Sequence, residues 1–499
     1  MATTLLTQNV AATAKAPKPK LGLRAWMTRV LVECDHAAAG FEADPVHDLR
    51  VALRRCRSLA DGLMAMDPDP SWKDMKKAGK KLFRALGDLR DMQVMEEWVG
   101  KLSEASDPVA IKLLEHVRSR QAECKLEASQ DVDQFDRKQW RQWSRTLPRR
   151  AARVRQGSVV FKHLALEKWT AAYDLHKRAM RTRSQTALHE LRIGIKRFRY
   201  TVENFLPRQH ASWGDDLKKL QDLLGEVHDF DVLWATALQV GAFPDLESRL
   251  RWHETLNRER EKRIADYREK MLGKESLWHV WRAELPSGPQ LRAAAVTRLR
   301  VWASYLDPDF KHSLRVSQYA VQLYDGLREA GLMVQNPEHD SRTVLHAAAL
   351  LHDVGKAKGH ADHQKDSFRM IRKLLRPIGW SARELELAAL VARYHRGALP
   401  RTRRKNVRAL DLIDRRITFQ LAGVLRLANA LDTHHGIEPR LEVALKERTV
   451  VVLVAGYSAL DRSAEEIAAA RHLLETVLRR PVMVRGLRVP SGEKRVASR

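Results

Sequence analysis

The sequence predicts a mostly α-helical protein: duplicated antiparallel helical bundles, then a second all-α domain closed by a small α+β module. Three observations carry this. From residue 21 to 285 the apolar positions keep a helical period, and breakers such as Asp67-Pro-Asp-Pro70, Asp107-Pro108, Pro148, Pro207 and Phe243-Pro244 fall between segments. The run His47-Asp-Leu-Arg50-Val-Ala-Leu-Arg54-Arg55-Cys-Arg57 returns as His189-Glu-Leu-Arg192-Ile-Gly-Ile-Lys196-Arg197-Phe-Arg199. Past residue 436 short apolar runs replace the helical texture.

Taken in order, residues 1–20 are small and polar, end in Lys15-Ala-Pro-Lys-Pro-Lys20, and read as a flexible tail. The helical repeats follow, at about 21–150 and 151–285. Leu86-Gly-Asp-Leu-Arg-Asp91 and Leu224-Gly-Glu-Val-His-Asp229 trail the two basic helices in the same order, which marks an internal duplication. The simplest geometry faces the two basic stripes across a pseudo-twofold axis. Leu285-Pro-Ser-Gly-Pro289 is a linker to a helical domain at 291–436. Arg440–Leu445 and Val450–Ala455 then read as strands around Lys446-Glu-Arg448. Ser463–Leu478 reads as a helix opened by Ser463, and Pro481–Val484 as a third strand. This module spans 437–488, and 489–499 is a disordered tail.

In each basic run, positions i, i+3, i+7 and i+10 share one helix face. His47, Arg50, Arg54 and Arg57 form one stripe, and His189, Arg192, Lys196 and Arg199 the other. Leu49, Leu53, Cys56 and Leu63, and Leu191, Ile195, Phe198 and Phe205, form the apolar faces behind them. Like charges at these spacings cost helix stability, so the pattern asks for an anion. The chain of 499 residues carries 89 Lys and Arg against 62 Asp and Glu, a net charge of +27, which draws in polyanions. Arginine's planar fork bonds two phosphate oxygens at once. Single-strand nucleic-acid binding interleaves aromatic platforms with its charges, and these stripes hold none. Three cysteines without metal-ligand spacing point to a reducing cytoplasm, and no run is long enough for a membrane span.

These paired motifs resemble the CHAD domain, a conserved-histidine α-helical domain, over about 21–285. The resemblance implies a pseudosymmetric helical bundle that binds inorganic polyphosphate and can direct proteins to polyphosphate granules. It implies contacts from His47, Arg50, Arg54, Arg57, His189, Arg192, Lys196 and Arg199, with some of the Lys76–Lys81 cluster joining. Asp91 and Asp229 would orient basic side chains.

Between 312 and 435 lie His312, His346, His352, His360, His363, His395, His434 and His435. Ala347-Ala-Ala-Leu-Leu-His352-Asp353 places an imidazole and a carboxylate at the inner end of a buried helix, with Gly355 as a helix C-cap. His312 and Asp432 complete a His, His-Asp, Asp set suited to Mn, Fe, Ni or Zn. Lys356 and Arg396 are placed to meet phosphate. The set matches the HD phosphohydrolase superfamily. Val391-Ala-Arg-Tyr-His395-Arg-Gly-Ala-Leu-Pro400 and Val424-Leu-Arg-Leu-Ala-Asn-Ala-Leu-Asp432 look like the C-terminal half of the exopolyphosphatase/guanosine pentaphosphatase family, over about 291–486. That likeness implies a grip on polyphosphate. It does not carry over the cleavage chemistry, which the family attributes to actin-like domains with no counterpart here.

Together these readings imply a cytoplasmic polyphosphate-binding protein, with association to polyphosphate granules as a further expectation. Hydrolysis of a phosphoanhydride is left open at an HD site. There His312, His352, Asp353 and Asp432 would hold a divalent metal (Mn, Fe, Ni, Zn or Mg). His352, Asp353 and Lys356 would be catalytic, and His363 and His395 would hold a second metal or steer phosphate. The alternatives are a non-catalytic granule-targeting module and, with less support, a nucleic-acid-binding protein. Chain length of the substrate and oligomeric state are not legible.

Overall fold

The computed structural model describes residues 22–432, 438–460 and 463–487; the expected tails at 1–20 and 489–499, and His434 and His435, lie outside the described residues. The chain packs into two compact units. Of the described residues, one unit holds those up to Ala60, Pro70–Arg153 and Ala235–Leu250; the other holds Asp61–Asp69, Val154–Trp234 and those from Arg251 on.

The first repeat comprises α1 (Leu23–Ala38), α2 (Ala43–Leu63), α3 (Pro70–Leu102), α4 (Pro108–Asp133) and α5 (Arg137–Ala151). Asp107 opens α4 by accepting from the Val109 amide at 2.8 Å, with Pro108 in the first turn where no amide is needed. Asp136 caps α5 through the Gln139 amide in the same way. α3 folds back on α4, and α5 packs on α1.

The second repeat comprises α6 (Val159–Thr182), α7 (Gln185–Phe205), α8 (Pro207–Gln239), α9 (Leu246–Met271) and α10 (Leu277–Ala283). Its duplication is visible in element lengths. Both α2 and α7 have 21 residues, α3 and α8 have 33, and α4 and α9 have 26. Only the first and last helices of each copy differ in length, with 16 against 24 and 15 against 7 residues.

Within the second unit the linker delivers the chain to α11 (Gly288–Leu306), which packs on α6. Then come α12 (Phe310–Glu329), α13 (Ser341–Leu351), a 3-10 turn (Val354–Lys358), α14 (His363–Arg372), α15 (Ala382–Arg393), α16 (Lys405–Arg408) and α17 (Leu412–Leu431). Carboxylates and a serine mark the starts: Asp309 caps α12, Asp340 caps α13, Ser381 and Glu384 form a capping box on α15, and Asp411 caps α17. Val344, Leu351, Leu390, Val391, Val424 and Leu427 are buried in one apolar core shared by α13, α15 and α17.

The module forms β1 (Leu441–Lys446), β2 (Thr449–Val454), α18 (Ala464–Leu478) and β3 (Val482–Gly486). β1 pairs antiparallel with β2, Val443 opposite Val452, and β3 returns parallel to β2 after the α18 crossover, Val450 opposite Val482. Ser463 precedes α18 as expected, but its hydroxyl makes no cap bond. The Gly355 expectation is corrected. α13 ends at Leu351, and Gly355 sits inside the following 3-10 turn. A Cβ there would meet the His363 carbonyl oxygen at 2.1 Å, so glycine serves a close backbone approach to α14.

Candidate functional site

The first basic stripe lies on α2, whose Leu49, Leu53 and Cys56 are fully buried while His47 stays exposed. An aromatic ring on α3 organises it. The guanidinium carbons of Arg50 and Arg57 lie 4.9 and 4.7 Å from the centroid of Phe83. Arg55, off the stripe, lies instead over Trp26 of α1 at 5.5 Å. Burial lowers the Arg50 pKa; Asp91 opposes this, and Arg54 and Arg90 add to it. Burial likewise lowers His47, helped by Arg90 and Arg54. Of the lysine cluster, Lys81 is tied to Asp131 at 2.7 Å and to Gln134 at 2.6 Å.

The second stripe repeats the backbone plan on α7 with different neighbours. Leu191, Ile195 and Phe198 are fully buried beneath it. The rings of His189 and His228 lie 4.7 Å apart. Burial, with the charge on Arg192 and on His189, brings His228 down to about 4. Arg199 stands 4.0 Å from Glu203, which also faces His210 at 3.7 Å. His228 occupies the motif position of Arg90, so each stripe is headed by a second basic group. Sequence reading missed both, because neither lies on the basic helix itself.

The other candidate site gathers the ends of five elements. His312 stands in the first turn of α12, His352 and Asp353 follow α13, His363 opens α14, His395 follows α15, and Asp432 follows α17. Asp353 is central. Its Oδ1 lies 2.9 Å from His363 Nε2 and 3.7 Å from His395 Nε2, and its Oδ2 lies 3.4 Å from His352 Nε2 and 3.9 Å from His312 Nε2. Lys356 Nζ also pairs with Oδ2.

Three of these rings are oriented identically. His352, His363 and His395 each donate Nδ1–H to the carbonyl three residues earlier, Ala349 (2.7 Å), His360 (2.9 Å) and Ala392 (2.7 Å). A carbonyl only accepts, so each Nδ1 carries a proton and each Nε2 is turned toward the cluster. Burial lowers His352 and, further, His395. For Asp353 burial acts upward, but His352, His363, His395 and Lys356 outweigh it and hold the carboxyl well below its usual range.

Asp432 is placed differently from its neighbours. Its carboxylate accepts from Arg315 Nε at 2.6 Å and Nη2 at 2.8 Å, and lies 2.6 Å from His312 Nδ1. It orients His312 from behind. Two donor groups have their ligand atoms within 4.8 Å of one another: His312, His352 and Asp353, and then Asp353, His363 and His395. The Nε2 atoms of His363 and His395 are only 3.3 Å apart beside a shared carboxylate, an arrangement that could hold a divalent metal. Three further residues escaped the sequence reading. Asn429 Oδ1 lies between Nε2 of His312 (3.0 Å) and Nε2 of His352 (3.1 Å), and Arg315 holds Asp432. Buried Ser367 accepts from the Gly355 amide at 2.8 Å and donates to the His352 carbonyl at 2.6 Å. Asn429 stood inside the quoted motif ending at Asp432, the one available signal.

Arg396 is exposed one residue past His395, in a segment that also carries Arg401, Arg403, Arg404 and Lys405. Arg426 of α17 pins the start of that segment by donating to the carbonyls of Tyr394 and Gly397, each at 3.0 Å.

Residues 24–238 match the family model of the CHAD domain, and residues 291–451 match that of the Ppx/GppA phosphatase, domain III. A curated relative, the bifunctional uridylyltransferase/uridylyl-removing enzyme of Nitrobacter winogradskyi, is 32% identical over 151 residues. The match takes in 27% of this chain and 15% of that enzyme. The crystal structure of the CHAD domain from the plant Ricinus communis is similar at 21% identity, covering 53% of this chain and 90% of that one with a TM-score of 0.35.

Proposed function

From a chain that joins a CHAD segment to a Ppx/GppA domain III segment, we propose a protein that binds inorganic polyphosphate on its basic stripes and hydrolyses a phosphoanhydride at an HD-type site. The observation that carries the second half is the set of four imidazole Nε2 atoms within 3.9 Å of one buried carboxylate. A purely structural ion pair does not need four rings, three of them with Nδ1 tied to the backbone and Nε2 turned inward.

His312, His352 and Asp353 would hold one divalent metal, and Asp353, His363 and His395 a second. Such an ion, when bound, lowers the pKa of a water and polarises a phosphoryl oxygen. The chain's own residues supply the rest. Lys356, a fifth exposed, stands beside Asp353 and offers a cation to a phosphate oxygen. Asp432 and Arg315 fix the His312 ring, and Ser367 fixes the turn that carries Asp353. Exposed Arg396 meets the outer phosphates of a chain. Any granule association would rest on the stripes alone.

Phosphate release from polyphosphate and from guanosine tetraphosphate, across a panel of divalent metals, tests this reading. A uridylyl ester belongs in the same panel, because the curated relative's name includes uridylyl removal. Asp353→Ala is expected to abolish release and metal binding while leaving polyphosphate affinity within about twofold. Release that persists in Asp353→Ala rejects the hydrolytic site. Polyphosphate binding without release in any metal would support the alternative, a non-catalytic binding module. Preference for RNA over polyphosphate at equal phosphate concentration would reject the ligand.

A further inference from the structure

The two stripes match in sequence spacing but are not held alike. In the first, one ring on a neighbouring helix contacts two cations. Arg50 and Arg57 stand two turns apart on α2, and both guanidinium groups lie within 5 Å of the Phe83 centroid. Phe83, Arg50 and Arg57 are all only partly buried. Counting from the shared leucines, the residue three before Leu86 is Phe83, and the residue three before Leu224 is Gln221.

A second observation points the same way. Gly87 follows Leu86, and Gly225 follows Leu224. A Cβ on Gly87 would stand 2.9 Å from Arg50 Nη1; a Cβ on Gly225 would meet nothing within 4 Å. In the first copy the end of an arginine side chain occupies the space beside the glycine, and in the second nothing comes that near. The seated Nη1 of Arg50 is buried without a hydrogen-bond partner among the described residues. A guanidinium N–H without an acceptor can donate to an anionic oxygen.

We propose that Phe83 is a positioning residue that, with the space left at Gly87, presets Arg50 and Arg57 for a condensed phosphate anion and makes the first stripe the tighter of the two. This rests on the reading of the stripes as polyphosphate sites. The ring lies against both side chains before the ligand arrives, so less rotamer freedom is lost on binding. The salt dependence is unaffected, because the number of cations does not change.

The test uses the full chain and inorganic polyphosphate of defined length, with affinity followed over a salt series. Phe83→Leu is expected to weaken binding about tenfold with an unchanged salt slope, and Phe83→Tyr to restore it. In an Arg50→Gln/Arg57→Gln background Phe83→Leu is expected to have no further effect. Gly87→Ala, a change that favours helix, is expected to weaken binding, while Gly225→Ala leaves it within twofold. If Phe83→Leu binds as the parent does, or if it costs the same tenfold without the two arginines, the clamp is overturned and the stripe reading stands. Equal effects of Gly87→Ala and Gly225→Ala also overturn it. If the parent chain does not bind polyphosphate, or the arginine double variant binds unchanged, the stripe reading itself fails.

Discussion

Gly355→Ala isolates the geometry that holds Asp353 in place. The added Cβ would lie 2.1 Å from the His363 carbonyl oxygen and 2.5 Å from the Ser367 amide nitrogen. Both are backbone atoms of α14, so no rotamer change relieves the overlap, and the 3-10 turn must part from the helix. Parting breaks the Gly355 amide to Ser367 hydroxyl bond (2.8 Å) and the hydroxyl to His352 carbonyl bond (2.6 Å). Overpacking of this kind costs about 1–3 kcal/mol. The two buried bonds add about 1 kcal/mol each. A loss of about 3–5 kcal/mol is therefore expected, large for one methyl group on a glycine. The assay is urea denaturation followed by tryptophan fluorescence, run beside calorimetric titration with Mn2+ and a polyphosphate-binding measurement. The urea midpoint should fall, Mn2+ affinity should drop at least tenfold, and polyphosphate affinity at the stripes should hold. A Gly355→Ala protein that unfolds at the parental midpoint and binds Mn2+ normally would refute the close-approach account.

Replacing both Arg50 and Arg57 by Gln should lower polyphosphate affinity and flatten the salt slope by about 2, while Arg55→Gln, whose side chain lies over Trp26, should leave the slope nearly unchanged. Arg315→Leu leaves the buried Asp432 carboxylate with His312 as its remaining charged partner at 2.6 Å; a loss of about 3 kcal/mol and weaker Mn2+ binding are expected by denaturation and calorimetry. His176 is 5% exposed, 2.9 Å from the Tyr267 hydroxyl, and burial brings it down from 6.5 to about 4. Its folded pKa is depressed, so the unfolded chain takes up the proton first. Stability is full above pH 6.5 and is lost as pH falls toward 4, by about 3 kcal/mol. His176→Phe should flatten that part of a stability-against-pH curve measured by urea titration; an unchanged slope contradicts the assignment.

The basic helices were legible because one 3.6-residue period sorts charge from apolar surface within a single segment, and the structure buries Leu49, Leu53 and Cys56 as that period requires. The strands of the C-terminal module were legible to within a residue or two for a similar reason, since short Val-rich runs around a charged turn have few other uses. What needed the structure was every relation between segments. Phe83 looked like an ordinary apolar residue until α3 placed it under two arginines. Gly355 carried a helix-stop signal, but its reason is the backbone of α14 passing 2.1 Å from where a Cβ would stand. Asp432 was legible as part of the histidine set, while its engagement by Arg315 depends on how α12 packs on α17.

In the first repeat α5 covers α1; in the second, the last helix is cut to seven residues and α11 lies on α6. The contacts there are specific. Arg298 pairs with Glu167 at 2.5 Å, and fully buried His163 Nε2 donates to the Ile378 carbonyl at 3.0 Å. A chain terminated at Leu285 would leave Glu167 without that arginine, His163 without that carbonyl, and one side of α6 bare to water. The two family segments are separate in sequence but interlocked in folding: the second repeat borrows its closing helix from the segment that follows, so truncating the C-terminal half should melt the repeat before it.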